Sequence, residues 1–198
     1  MPNVLLSFMI VAIGAPSGVG KNTITSKLVK HFPDTYIRFP SIASRPMRPG
    51  ETQGDPYFFI TSKEFEGKIA SGEVFEHTSL HGDYRGMSAA IIDEFLMSGK
   101  VLLKDVDYIG VLALREKYGP SAVLSIFLTV PREMAKERIQ NREGTTREYL
   151  EMRLANYDKE METAVHFDHT VPNIDLDTCI SQVHQIISMV DETTGAAD

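Results

Sequence analysis

The chain has 198 residues, of which 42% are hydrophobic and 24% charged, a formal net charge of −7 and a single cysteine. That length suits one domain with a real core rather than two ordinary domains, and the residue balance excludes a disordered body. The acidic charge argues against general binding to nucleic acid or to an anionic membrane, while the lone Cys179 excludes an internal disulfide and a cysteine-built zinc cluster and fits a reducing, cytoplasmic setting.

In chain order, apolar Leu5 to Ile13 reads as a buried strand. The apolar run from Val4 to Ala15 has no basic segment ahead of it and passes straight into a glycine loop, so it reads neither as a signal peptide nor as a membrane span. Lys21 to His31 reads as a helix and Tyr36 to Phe39 as a second strand, which is a βαβ opening. Arg45-Pro46-Met47-Arg48-Pro49-Gly50 is a loop, because two prolines and a glycine break both helix and central strand. Tyr57 to Ile60 follows as a strand, and Thr61-Ser62-Lys63-Glu64 has the pattern of a capping box opening a helix through Ala70. Val74 to Ser79 reads as a strand that turns at His81-Gly82-Asp83-Tyr84.

Helix and strand then alternate again: helix Ala89 to Met97, strand Val101 to Val106, helix Val111 to Tyr118, strand Val123 to Val130 and helix Arg132 to Asn141. The expected fold class is α/β, a parallel sheet flanked by helices with a small β-rich insertion in the middle of the chain. The six histidines have no ligand spacing, so no protein-bound structural metal is expected. Met9, Met97, Met134, Met152 and Met161 fall in apolar or helical stretches and are expected to serve packing. Residues 191–198 are small and polar and are expected to form a flexible tail.

The strongest chemical signal is the loop Ala15-Pro16-Ser17-Gly18-Val19-Gly20-Lys21-Asn22-Thr23, with a strand before it and a helix after it. Such a turn aims several backbone N–H groups and the positive end of a helix at one spot, which suits a polyphosphate. Lys21 adds a full charge in reach of the β and γ phosphates. The fold is therefore expected to be of the P-loop NTPase type, with ATP as the donor and magnesium (Mg²⁺) as its companion. Two residues depart from the strict pattern: Ala15 stands at the first glycine, and Asn22 at the hydroxyl that usually touches magnesium. Asn22 is the tentative metal contact, its amide oxygen being a poorer match than a hydroxyl, with the ion held largely by nucleotide and water and Thr23 as the nearest hydroxyl.

Ser41, Arg45 and Arg48 in the proline-broken loop, then Gly50-Glu51, Tyr57-Phe58-Phe59, Glu76, Gly82-Asp83-Tyr84-Arg85-Gly86 and Asp105-Val106-Asp107, follow in an order and spacing that resembles the guanylate kinases. The resemblance runs from about Ile10 to about Asp175. It implies transfer of the γ-phosphoryl group of ATP to GMP or dGMP, giving ADP and GDP or dGDP. It implies also a single domain over 1–190, with a core of 1–35 and 88–190, an acceptor-binding insertion over about 36–87 and a helical lid over about 138–155.

By the same resemblance Arg45, Arg48 and Tyr57 match contacts to the acceptor phosphate, a sensible clamp for a dianion. Glu76 matches the carboxylate that reads the guanine edge, and Ser41 and Asp107 match further base contacts. Arg85 stands where the family has a phosphate-binding tyrosine, and a guanidinium keeps that contact. Met87 stands where a hydroxyl is expected near the guanine O6, and a thioether cannot donate a hydrogen bond.

Arg142 and Arg153 match arginines that close over the transferring group, where they neutralise charge on the γ-phosphate oxygens. With Lys21 they form the expected catalytic set. Arg138 and Arg147 read equally as surface charges on helices, and Asn173 matches a position near the donor base. Two other readings stay open: a kinase of the same fold acting on another phosphorylated acceptor, such as a different nucleotide or a ribose phosphate, and a non-catalytic binding module. The sequence leaves monomer and homodimer equally open.

Overall fold

The computed structural model describes residues 9–80, 82–141 and 145–195. Two sheets carry the architecture. The first is all parallel, in the order β10-β9-β1-β8-β2, built from β1 (Ile10–Gly14), β2 (Tyr36–Arg38), β8 (Val101–Asp105), β9 (Val123–Thr129) and β10 (His169–Pro172). β1 is buried at all five positions, as expected of a central parallel strand covered by helices on both faces. The second sheet is mixed, in the order β4-β5-β3-β7-β6, from β3 (Ser41–Ala43), β4 (Thr52–Gln53), β5 (Pro56–Phe59), β6 (Val74–Leu80) and β7 (Asp83–Ser88). β2, at the start of the expected insertion, pairs with β8 in the first sheet.

Seven α-helices surround these strands among the described residues: α1 (Lys21–His31), α2 (Ser62–Ala70), α3 (Ala89–Leu96), α4 (Tyr108–Tyr118), α5 (Arg132–Gln140), α6 (Arg147–Glu162) and α7 (Leu176–Gly195). α2 opens on the expected capping box: Thr61 Oγ1 accepts from the Glu64 N–H while the Glu64 carboxylate accepts from the Thr61 N–H. The first strand begins at Ile10, and residues 5–8 of the expected Leu5–Ile13 run lie outside the described residues. Of the tail expected over 191–198, residues 196–198 also lie outside them, and α7 runs to Gly195. His81, at the expected hairpin turn, is outside them as well.

One apolar layer packs β1, β8 and β9 against α1 and α7 through Val11, Ile13, Leu28, Leu103, Ile126 and Val183. The opposite layer joins Ile10, Ala12, Phe39, Met87, Leu102 and Val106. Met9 is buried and Met134 and Met161 pack against the core, but Met97 is 86% exposed and Met152 50% exposed. Those two do no packing, because the helix faces that carry them turn to solvent. No described helix is long and apolar enough to cross a membrane. The carboxyl ends of β1 and β8, at Gly14 and Asp105, open on the same side of the first sheet, where open α/β sheets hold their ligands.

Candidate functional site

The phosphate loop follows β1 directly. Gly18 and Gly20 have φ of 83° and 95°, a region that side chains resist, and a Cβ at Gly18 would come within 2.7 Å of the Ala135 carbonyl oxygen. Only glycine allows the loop to lie this close to α5. Two side chains brace it from behind. Arg138 donates to the carbonyls of Val19 (3.2 Å) and Asn173 (3.0 Å), and the Asn173 amide nitrogen donates to Val19 O at 2.6 Å. Arg138 is thus a structural clamp, and Asn173, 3% exposed, is a second one whose Oδ1 has no hydrogen-bond partner. Arg147 instead pairs with Glu151 on the exposed face of α6.

A cavity of about 250 Å³ is lined by the loop residues Ala15, Pro16, Ser17, Gly18, Gly20, Lys21, Asn22 and Thr23, and from across it by Arg153 and Glu160 of α6. Val19 has its side chain in the core, fully buried. Arg153 has a buried Nε with no hydrogen-bond partner among the described residues, and its guanidinium lies 5.6 Å from the Tyr149 ring. The Glu160 Oε2 accepts from the Ser17 N–H at 3.0 Å. Arg142, expected beside Arg153, lies outside the described residues.

On the acceptor side a cavity of about 300 Å³ is lined by Ser41, Tyr57, Glu76, Arg85 and Asp107, together with Met87 and Lys104. Burial pushes the Glu76 carboxyl above the usual carboxylate range, with Asp107 adding to the rise and Lys104 opposing it. Asp107 also caps α4, its Oδ1 accepting from the Gly110 N–H at 2.8 Å. Two guanidiniums lie by the Tyr57 ring, Arg45 at 5.4 Å and Arg85 at 5.8 Å from its centre. Arg45 is 7% exposed and tied to Glu51 by two bonds, Nη1 to Oε2 at 2.7 Å and Nη2 to Oε1 at 2.5 Å. The Arg48 N–H also donates to Glu51 (2.8 Å), while the Arg48 side chain is exposed and lines neither cavity.

Two further cavities join these. One of about 290 Å³ shares Lys21 and Glu160 with the loop cavity and Asp107 with the acceptor cavity. The other, about 460 Å³, has Asn22 at one end and shares Ser41, Tyr57, Lys104 and Asp105 with the acceptor cavity. Asp105 holds Arg38 through Oδ2 at 3.3 Å, and its buried Oδ1 has no hydrogen-bond partner among the described residues. Asp105 and Asn22 line the same cavity, and both are oxygen-bearing side chains of the kind that suits a magnesium ion carrying most of its own water. No group of three or more His, Cys, Asp or Glu among the described residues forms a dedicated metal cage.

Lys104 is the residue that sequence reasoning missed. It sits one residue before the end of β8, 9% exposed, with Nζ donating to the Phe39 carbonyl at 3.0 Å and 4.6 Å from the Phe39 ring centre. Burial pulls its ammonium down from the ordinary lysine value to about 7, with Asp105 and Glu76 opposing the fall and Arg38 adding to it.

The sequence model of the family described as Guanylate kinase matches residues 8–190. The chain is 36% identical over 189 residues to a guanylate kinase of Symbiobacterium thermophilum, an alignment that covers 94% of this chain and 87% of that protein. It is 36% identical over 178 residues to one of Photorhabdus laumondii, covering 88% of this chain and 84% of the relative. Among solved structures, a guanylate kinase of Anaplasma phagocytophilum matches with a TM-score of 0.69 at 22% identity over 91% of this chain and 85% of that one, a likeness of fold.

Proposed function

The chain belongs to the guanylate kinase family of nucleoside monophosphate kinases, and from that premise we propose that it transfers the γ-phosphoryl group of ATP to GMP or dGMP along its line of joined cavities. The observation that carries the reading is that Lys21 belongs both to the loop cavity, facing Arg153, and to the space that reaches Asp107 at the acceptor cavity. A cation therefore stands between a triphosphate site and a monophosphate site.

The donor's phosphates lie on the N–H groups of the loop and at the N-terminus of α1, with Lys21 on the outer phosphates. An oxygen of the acceptor phosphate attacks the γ-phosphorus, the bond to the bridging oxygen breaks, and ADP leaves. That oxygen is already anionic, so no general base is required. Lys21 and Arg153 neutralise charge on the transferring group, which is the main demand of this chemistry. Its place across the loop cavity from Lys21 supports the part given to Arg153, since a guanidinium there is in reach of a phosphate on the loop. Magnesium bound with ATP would supply further charge neutralisation, and Asn22 and Asp105 are the residues that would hold its water shell.

On the acceptor side Glu76 takes the guanine N1–H and N2–H, Ser41 and Asp107 face the base and ribose, and Tyr57 and Arg85 take the phosphate with Arg45. Arg48, exposed in the loop beside Glu51, joins them when the second sheet closes on the acceptor. The insertion over about 36–87 and the lid over about 138–155 close on the bound pair and exclude water, which would otherwise take the phosphoryl group.

The test is a coupled ADP-release assay with ATP, magnesium and a panel of GMP, dGMP, AMP, UMP and ribose phosphates, run beside Lys21→Ala. Turnover of GMP and dGMP that falls by at least about 10³-fold in the variant is the expected result. Turnover of another acceptor would move the substrate assignment. No turnover by folded protein would overturn the reading.

A further inference from the structure

A buried lysine near the carboxyl end of an interior parallel strand is an expensive residue, since such strands are largely covered by apolar layers. Successive side chains of a strand alternate faces, so Lys104 shares a face with Leu102 and Val106 two positions either side of it, and its cross-strand partner on β1 is Ala12. All three belong to the apolar layer that also contains Phe39 and Met87. The Lys104 side chain thus rises through this layer beside Met87, with the small Ala12 leaving it room, and reaches the wall that both residues share with Glu76. Glu76 and Lys104 are close enough for each to perturb the other's charge. No carboxylate lies within 4.0 Å of the ammonium among the described residues, and its one protein hydrogen bond, to Phe39 O, leaves two of its three N–H groups free to act.

A carboxylate and an ammonium lining one cavity are the complement of one particular base edge. Guanine offers a carbonyl acceptor at O6 next to donors at N1 and N2, whereas adenine offers an amine donor at N6. Glu76 answers the two donors. The acceptor at O6 needs a donor, and Met87, buried at 2% exposure, has none to give. We propose that Lys104 is the specificity residue of the acceptor site, its ammonium donating to the purine 6-carbonyl in place of a hydroxyl at position 87. An adenine at the same place sets N6–H against N–H and leaves the cation unpaired. The inference rests on the acceptor cavity holding a purine monophosphate, as in the function proposed above.

The experiment compares wild type with Lys104→Met and Lys104→Gln on three acceptors: GMP, IMP, which keeps O6 and lacks the 2-amino group, and 6-thio-GMP, which keeps N1–H and the 2-amino group but carries a poor acceptor at position 6. Lys104→Met fills the apolar layer with an unbranched side chain, so it is expected to fold. The proposal expects kcat/KM to fall by about 10- to 100-fold for GMP and IMP alike and by less than about threefold for 6-thio-GMP, with Lys104→Gln regaining part of the loss. An equal fall for all three acceptors would assign Lys104 to the phosphate or to the scaffold and overturn the proposal, as would no fall at all. If wild type turns over none of them, the kinase reading is what fails. Calorimetric binding of GMP and 6-thio-GMP to wild type and Lys104→Met then tests the lysine by the same ratio.

Discussion

The Glu160 carboxylate, projecting from α6, accepts a hydrogen bond from the Ser17 N–H of the phosphate loop at 3.0 Å, across 143 residues of chain. An anion therefore already stands at a loop whose amides and helix terminus favour anions. An arriving γ-phosphate meets a like charge there, and ADP, which lacks that group, does not. Glu160→Gln is expected to tighten ATP binding by about three- to tenfold while changing ADP binding by less than about twofold, measured by calorimetry at low ionic strength. Weaker binding of both nucleotides would mean that Glu160 holds the loop in shape rather than competing for it.

The pair Arg45–Glu51 makes a prediction about acid. The two bonds from Arg45, aided by the Arg48 N–H, hold the Glu51 carboxyl down at about 2. A carboxyl that is more acidic folded than unfolded contributes stability above its unfolded value of about 4.3, and that contribution is lost as pH falls toward the folded one. The gap in urea stability between wild type and Glu51→Gln is expected to be constant above about pH 5.5 and to shrink steadily between about pH 4.3 and the folded value near 2. A gap that does not change with pH would show that the pair acts through shape alone.

Lys104 carries the opposite sign and a different window. Its pKa is about 7 in the folded chain against about 10.4 unfolded, so the folded state is penalised for the charge below pH 7 and relieved as pH rises through that interval. Lys104→Met is expected to be more stable than wild type by about 1 to 4 kcal/mol at pH 6.5, as when buried charges give way to apolar groups. The advantage is expected to narrow between pH 7 and about 10.4, followed by chemical denaturation. A variant less stable than wild type at every pH would show that the bond to Phe39 O outweighs the burial of charge.

Asn22 offers an amide oxygen where a hydroxyl is usual, in a cavity that Asp105 also lines. Asn22→Ser restores the hydroxyl at the head of α1 without touching the core, since residue 22 is exposed. The magnesium concentration for half-maximal turnover at fixed ATP is expected to fall about two- to fivefold, with KM for the acceptor unchanged. An unchanged magnesium requirement would leave the ion to the nucleotide and water alone.

What was legible in the sequence was local. The phosphate loop, the capping box at Thr61 and Glu64 and the strand–helix alternation are each written within ten residues or so, and each appears where expected. The order of motifs grouped Ser41, Tyr57, Glu76, Arg85 and Asp107, and these five line one cavity. What escaped depends on contacts distant in the chain. Arg138 read as a surface charge because nothing near it in sequence shows that it reaches Val19, 119 positions away. Glu160 carried no signal for the same reason. Lys104 did carry one, a cation inside the run Val101-Leu102-Leu103-Lys104-Asp105-Val106. In a strand buried on both faces that placement is a cost that only a contact with a ligand or a buried partner repays.

The clamp of Arg138 and Asn173 on Val19, with Gly18 pressed against the Ala135 carbonyl, has a mechanical consequence. α5 and the phosphate loop are bolted together as one body, so neither shifts without carrying the other.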